Sequence, residues 1–159
     1  MSTVRVAQTF TGTVHEAERC WYDTDAWSAW VDGLAHVQSV EGNWPEVGAI
    51  VRWESGPAGR GRVTEKVIAY EALTGQTNEV LDDAITGRQT VTFTPDADGG
   101  EDAVTVEFAL EYRLRRRSVV TPVVDLLFIR RAMTMSLRST LSHFGAQLAH
   151  QRTRNGHAA

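Results

Sequence analysis

The hydrophobic period of this chain changes late and decisively, and the change sets the layers any fold of it must have. From Ala103 to Arg115, Val104, Val106, Phe108, Leu110, Tyr112 and Leu114 fall on one face, with Thr105, Glu107, Glu111 and Arg113 on the other. That alternation is a strand buried on one side. From Pro122 onward the spacing becomes three or four: Val123, Leu126, Leu127, Met133, Leu137, Leu141, Phe144 and Leu148, with one place skipped between Leu127 and Met133. One apolar stripe therefore faces a partner for about eight helical turns, roughly 45 Å at 1.5 Å per residue. Thr121 followed by Pro122 supplies an N-cap with proline at the first helical position, and Asp125 favours the positive end of the helix dipole. Gly145, inside the stripe, costs ~1 kcal/mol relative to alanine.

The sequence before this pair is mostly strands. Val4, Val6, Gln8 and Phe10 alternate with Thr3, Arg5, Ala7 and Thr9 as a half-buried first strand. Two short helices follow: residues 15–22 with Ala17, Cys20 and Trp21 at helical spacing, then a turn capped by Thr24 or Asp25 that holds Trp27, Trp30 and Val31 and ends at Gly33. Strands are expected over Val37–Glu41, Ala49–Ser55, Arg62–Leu73, Gln76–Leu81, Arg88–Thr94 and Ala103–Arg115, divided by turn residues such as Asn43–Pro45, Gly56–Gly59 and Gly99–Gly100. Short connections between successive strands imply an antiparallel meander. The expected fold is α+β: a curved antiparallel sheet of about seven strands wrapped on a long C-terminal helix, with two short helices after the first strand. One domain over 1–152 accounts for the chain, with a frayed tail over 153–159.

Composition narrows the function classes. With 42% hydrophobic and 23% charged residues the chain is ordinary for a globular protein. The single cysteine, Cys20, forms no internal disulfide, and the first ten residues hold no apolar run of secretory length, so a cytoplasmic location is expected. The longest apolar stretch, Val119–Ile129, is broken by Thr121, Pro122 and Asp125 and falls short of the roughly 20 residues a spanning helix needs. Charge is uneven: residues 1–112 hold 19 of the 20 acids and 7 of the 16 basic groups, a net −12, against +8 in the remainder. A basic helix lying on an acidic sheet neutralises both; alternatively it attracts an anionic membrane surface. Nucleic acid is not expected as a partner, because the arginines are dispersed and not interleaved with aromatics. His15, His36, His143, His150 and His157 show no metal-ligand spacing, so no metal or other cofactor is expected. The GPAGRGR segment lacks the lysine and Ser/Thr of a phosphate loop, and no G-x-S-x-G elbow is present.

The order of elements, together with the Trp27-Ser28-Ala29-Trp30 helix, the Gly48–Val51 segment opening a strand, the Gly61–Val67 strand and the helix from Pro122, resembles the START-like (SRPBCC) helix-grip superfamily, in particular its polyketide cyclase/dehydrase branch. The resemblance runs from Val4 to about His150. It implies a cavity between sheet and helix for lipids, sterols, polyketides or aromatic molecules, with enzymatic activity in only some members; the superfamily has no universal catalytic signature.

On that expectation the ligand-binding candidates are Trp27, Trp30 and Trp53, which can stack on a flat ligand. Inward positions of the strands add Thr64, Val91, Phe93, Val106, Phe108 and Leu110, and the helical stripe adds Met133, Leu137 and Leu141. Two faces are open for the strand from Arg62 to Tyr70: Arg62, Thr64, Lys66, Ile68 and Tyr70, or Val63, Glu65 and Val67. If the first is inward, Arg62 and Thr64 become polar handles of the pocket; a bulge reverses the phase. For a cyclase, the chemistry is an intramolecular aldol condensation and dehydration in which Arg62, Arg130 and Tyr112 are the candidate donors to the enolate oxygen. The competing classes are an interaction or anionic-membrane module using the basic C-terminal helix, and a homodimer sealed by the Val119–Ile129 run.

Overall fold

The computed structural model describes residues 1–57, 59–96, 98, 102–115 and 122–157, with side chains at 122–126 and 157 left aside. Strand β1 (Ser2–Thr11) leads into helix α1 (Val14–Tyr22), a 3-10 turn at Thr24–Ala26 and helix α2 (Trp27–Trp30). Then come β2 (Leu34–Glu41), β3 (Ile50–Ser55), β4 (Arg62–Glu71), β5 (Gly75–Leu81), β6 (Ile85–Asp96), β7 (Ala103–Leu114) and helix α3 (Pro122–His157). The strands form one seven-stranded sheet in the order β1-β7-β6-β5-β4-β3-β2, every pair antiparallel. The α+β helix-grip architecture read from the sequence is the architecture present. The expected Thr121 cap and the start of the Val119–Ile129 run lie outside the described residues.

Burial follows alternation. On β7, Val104, Val106, Phe108, Leu110 and Tyr112 are buried, and on β6, Ile85, Val91 and Phe93. The open question on β4 is settled by Val63, Glu65 and Val67, all buried, which place Arg62, Thr64 and Lys66 on the outer face. Pairing of Trp53 with Val63 and Val51 with Glu65 fixes that phase through the neighbouring strand. A register shift between Val67 and Ala69 then bends the far end of β4.

Trp21 joins the layers. Its ring lies 4.8 Å from Trp30, 5.1 Å from Phe108 and 5.1 Å from Phe144, so α1, α2, the sheet and α3 meet on one side chain. Such edge and tilted pairs each add ~0.5–1.5 kcal/mol beyond the area they bury. At Gly145 a Cβ would come within 2.5 Å of the Phe10 ring. The helix-propensity cost of that glycine is thus offset by a close approach of α3 to β1.

One expectation for α3 needs correction. Leu137, Leu141, Phe144 and Leu148 are buried, but Leu127 is 65% exposed. At about 100° per residue Leu127 lies roughly 80° around the helix from Leu137, too far to share its face. The helix continues to His157, which takes it into the expected tail. Arg152 Nε donates to Glu16 Oε2 at 3.1 Å and Thr153 Oγ1 donates to the Ala149 carbonyl, tying down the last turns.

Candidate functional site

Where α2 and the middle of α3 face the inner side of the sheet, a cavity of about 40 Å³ remains. One wall is apolar: Trp21 from α1, Trp27 and Trp30 from α2, Phe108 from β7 and Leu137 from α3. The other is polar: Arg60 from the β3–β4 turn, Glu65 from β4, Gln76 and Asn78 from β5, and Gln89 from β6. Trp53 from β3 spans the two.

The polar wall is built around Glu65. Its carboxylate accepts from Trp53 Nε1 at 2.7 Å, Gln89 Nε2 at 2.9 Å and Asn78 Nδ2 at 3.2 Å. Burying a carboxylate is tolerable only with such partners. Arg60 is held from behind: its Nε donates to Asp82 Oδ2 at 2.6 Å, while Asp82 Oδ1 accepts from the backbone N–H groups of Ala84 and Ile85. The guanidinium carbon stands 5.6 Å from the centre of the Trp53 ring, a cation–π contact. The chain can make this turn because Gly61 has φ 75° and a Cβ there would collide with the Asp83 carboxylate. Three buried polar atoms of the lining have no protein partner among the described residues: Arg60 Nη2, Asn78 Oδ1 and Trp30 Nε1.

A second feature closes the α3 side. Ser136 Oγ donates to Asp32 Oδ2 at 2.8 Å, and the Asp32 backbone N–H donates to Thr140 Oγ1 at 3.0 Å. All three residues line the cavity, so α3 is latched to the turn after α2 at its edge.

Of the ligand-binding candidates, Trp27, Trp30, Trp53, Phe108 and Leu137 line this cavity. Val91, Phe93, Val106, Leu110 and Leu141 are buried in the surrounding core, and Met133 is half-buried against it. Thr64 is on the outer face, in an open groove with Lys66 and Glu79. The three candidate donors do not converge. The Arg62 side chain is 83% exposed beside Glu54, because the opposite face of β4 is the inward one. Arg130 is exposed, since the early turns of α3 lie outside the buried part of the stripe. Tyr112 is buried with its hydroxyl unpartnered among the described residues, apart from the cavity lining.

Sequence reasoning missed Arg60, Glu65, Gln76, Asn78 and Gln89 as a group. The signal was present in part: Glu65 and Gln89 sit at inward places among apolar neighbours on β4 and β6, whereas on β5 Gln76 and Asn78 share the inward face with Val80. A polar residue at a core-facing position is the informative exception.

Other reactive groups lie away from this site. Burial, reinforced by the Asp23 charge, pushes the Cys20 thiol up to about 12, which leaves it un-ionised near neutral pH. Burial also raises the Tyr22 hydroxyl well above its ordinary value, with the Glu18 and Tyr70 charges adding to it. Among the described residues no group of three His, Cys, Asp or Glu side chains could hold a metal ion. Among the described residues no helix is long and apolar enough to cross a membrane.

The profile of the family described as polyketide cyclase / dehydrase and lipid transport matches residues 1–149. The chain belongs to that family. Among solved structures, a START superfamily protein from Mycobacterium smegmatis is similar at TM-score 0.74 and 10% identity, covering 94% of this chain and 98% of that one. A conserved protein from Geobacillus kaustophilus is similar at TM-score 0.74 and 9% identity, covering 93% and 95%. Norcoclaurine synthase from Thalictrum flavum, as a point mutant in complex with a transition-state analogue, is similar at TM-score 0.67 and 11% identity, covering 95% and 96%. At these identities the likeness is one of fold. No protein of curated function matches the chain.

Proposed function

We propose that this family member binds a small hydrophobic ligand, of lipid, polyketide or aromatic type, in the space between its sheet and α3. The observation that carries the reading is the two-sided cavity: an aromatic and aliphatic wall opposite a buried polar wall with unmet hydrogen-bonding atoms. A core built only for stability has no use for that second wall, because a fully apolar interior of the same shape is at least as stable. Covering about 300 Å² of apolar ligand surface yields a gross ~7 kcal/mol before association costs, so shape provides most of the affinity. Native against denaturing mass spectrometry of freshly purified protein tests this. A small molecule released on denaturation is expected. A clean ligand-free mass, together with no uptake of fatty acids or naphthols in equilibrium dialysis, would overturn it.

One observation favours a second reading, in which the outside of α3 meets an anionic membrane. Leu127, Phe128 and Met135 are 65%, 74% and 61% exposed. They share an arc of roughly 100° with the exposed Arg131 and Arg138. Apolar side chains interleaved with arginine suit a headgroup boundary. Co-sedimentation with phosphatidylcholine vesicles containing phosphatidylserine should then be strong at low salt and fall as salt rises; no binding at low salt removes the idea.

A further inference from the structure

The cavity's unmet atoms define a chemical pattern. Asn78 has one assignable orientation, because its Nδ2 must donate to Glu65; its Oδ1 is therefore turned away from that carboxylate as a free acceptor. Arg60 is oriented by Asp82 and by the Trp53 ring, leaving Nη2 as a free donor. Trp30, only 2% exposed, offers its Nε1 as a second donor. The side chains that carry these two donors and one acceptor all line the same small space. Its volume of about 40 Å³ holds roughly three or four water-sized groups, at ~10–15 Å³ each, and no ring.

We propose that this space takes the oxygenated end of the ligand, two neighbouring oxygens on an aromatic or polyketide-like skeleton. One oxygen, a carbonyl or phenolic oxygen, accepts from Arg60 and Trp30; the other, a hydroxyl, donates to Asn78. The inference rests on the reading of the protein as a hydrophobic-ligand binder and specifies which ligands it selects. A saturated lipid tail, which would leave all three atoms unpaired, is discriminated against, since a buried polar atom stripped of water and left without a partner is costly. The carbon skeleton itself lies towards Leu137 and Phe108, where α3 must yield to admit it.

Equilibrium dialysis of the full chain against naphthalene, 2-naphthol and 2,3-dihydroxynaphthalene separates skeleton from oxygens. The expected order of affinity is dihydroxynaphthalene, then naphthol, then naphthalene, with at least tenfold between first and last. In Trp30→Phe, which keeps an aromatic ring and removes the N–H, the advantage of dihydroxynaphthalene over naphthalene, taken as a ratio within the same variant, should fall about fivefold. Arg60→Met should do the same; if loss of the Asp82 partner unfolds that variant, Trp30→Phe decides alone. Equal binding of all three probes, or an undiminished advantage in Trp30→Phe, overturns this assignment while leaving the binding function in place. Failure of all three to bind overturns both.

Discussion

Glu65 concentrates the buried polar energetics in one side chain. Three N–H donors converge on it, each from a residue whose own burial depends on being satisfied. Glu65→Ala strands those donors and opens a void, so unfolding in urea should show a loss of about 2–4 kcal/mol. Glu65→Gln, nearly isosteric, offers one acceptor oxygen and turns an amide towards other donors, and should recover only part of it. From the sequence, Glu65 could be placed on the same face as Val63 and Val67, but the choice between that face and the one bearing Arg62 depended on pairing with β3. Alternation fixes which residues go together; long-range register fixes which way they point. Cys20 gives a second residue-scale expectation. Buried and with its thiol raised to about 12, it should resist a thiol-specific disulfide reagent in the native protein and react fully once unfolded; rapid native labelling would contradict the packing.

At the scale of elements, α1 and α3 are secured by one shared carboxylate. Thr13 and Glu16 form a reciprocal capping box, each side chain bonded to the other's backbone N–H at about 3 Å. Glu16 also receives Arg152 from the end of α3. The Thr13 backbone bond holds the Glu16 carboxyl below its ordinary value of 4.5; burial opposes it, and the Arg152 hydrogen bond and charge add to the lowering. A carboxylate with a depressed folded value stabilises fully above its unfolded value, and the contribution is lost as pH falls through the folded one. Glu16→Gln should therefore flatten the acid side of the stability profile below about pH 4.5, and Thr13→Ala should cost about 1 kcal/mol at neutral pH. The helices themselves were readable from spacing: Ala17, Cys20 and Trp21 are the buried stripe of α1 as their positions required. The capping box was equally present as a Thr-x-x-Glu string, beginning two places ahead of residue 15, where the apolar spacing started the helix. For α3 the stripe identified the buried half. It overran into Leu127 because a gap between Leu127 and Met133 lets the angle drift, and spacing in sequence does not show where the sheet beneath a helix ends.

For the molecule as a whole, the uneven charge read from the sequence is not resolved by contacts across the layers. Among the described residues the one ion pair joining α3 to the rest is Arg152 with Glu16, while Arg130, Arg131 and Arg138 are exposed and make none. The remaining whole-molecule property is closure. A cavity of about 40 Å³ is far below the ~300–1,000 Å³ of ordinary ligand sites, so the proposed binding function carries the prediction that α3 parts from the turn after α2 to admit a ligand. The Ser136–Asp32 and Asp32–Thr140 hydrogen bonds resist that motion. Removing them with the double substitution Ser136→Ala and Thr140→Val should favour the open state by about 1 kcal/mol, at a similar cost in unfolding free energy. Since apparent affinity scales with the fraction of binding-competent protein, dihydroxynaphthalene should bind about fivefold tighter to this less stable variant. A lining substitution such as Trp30→Phe should instead weaken binding. Opposite signs of stability and affinity are the signature of a latch, and a double variant that loses both would show these hydrogen bonds to be part of the ligand's own seat.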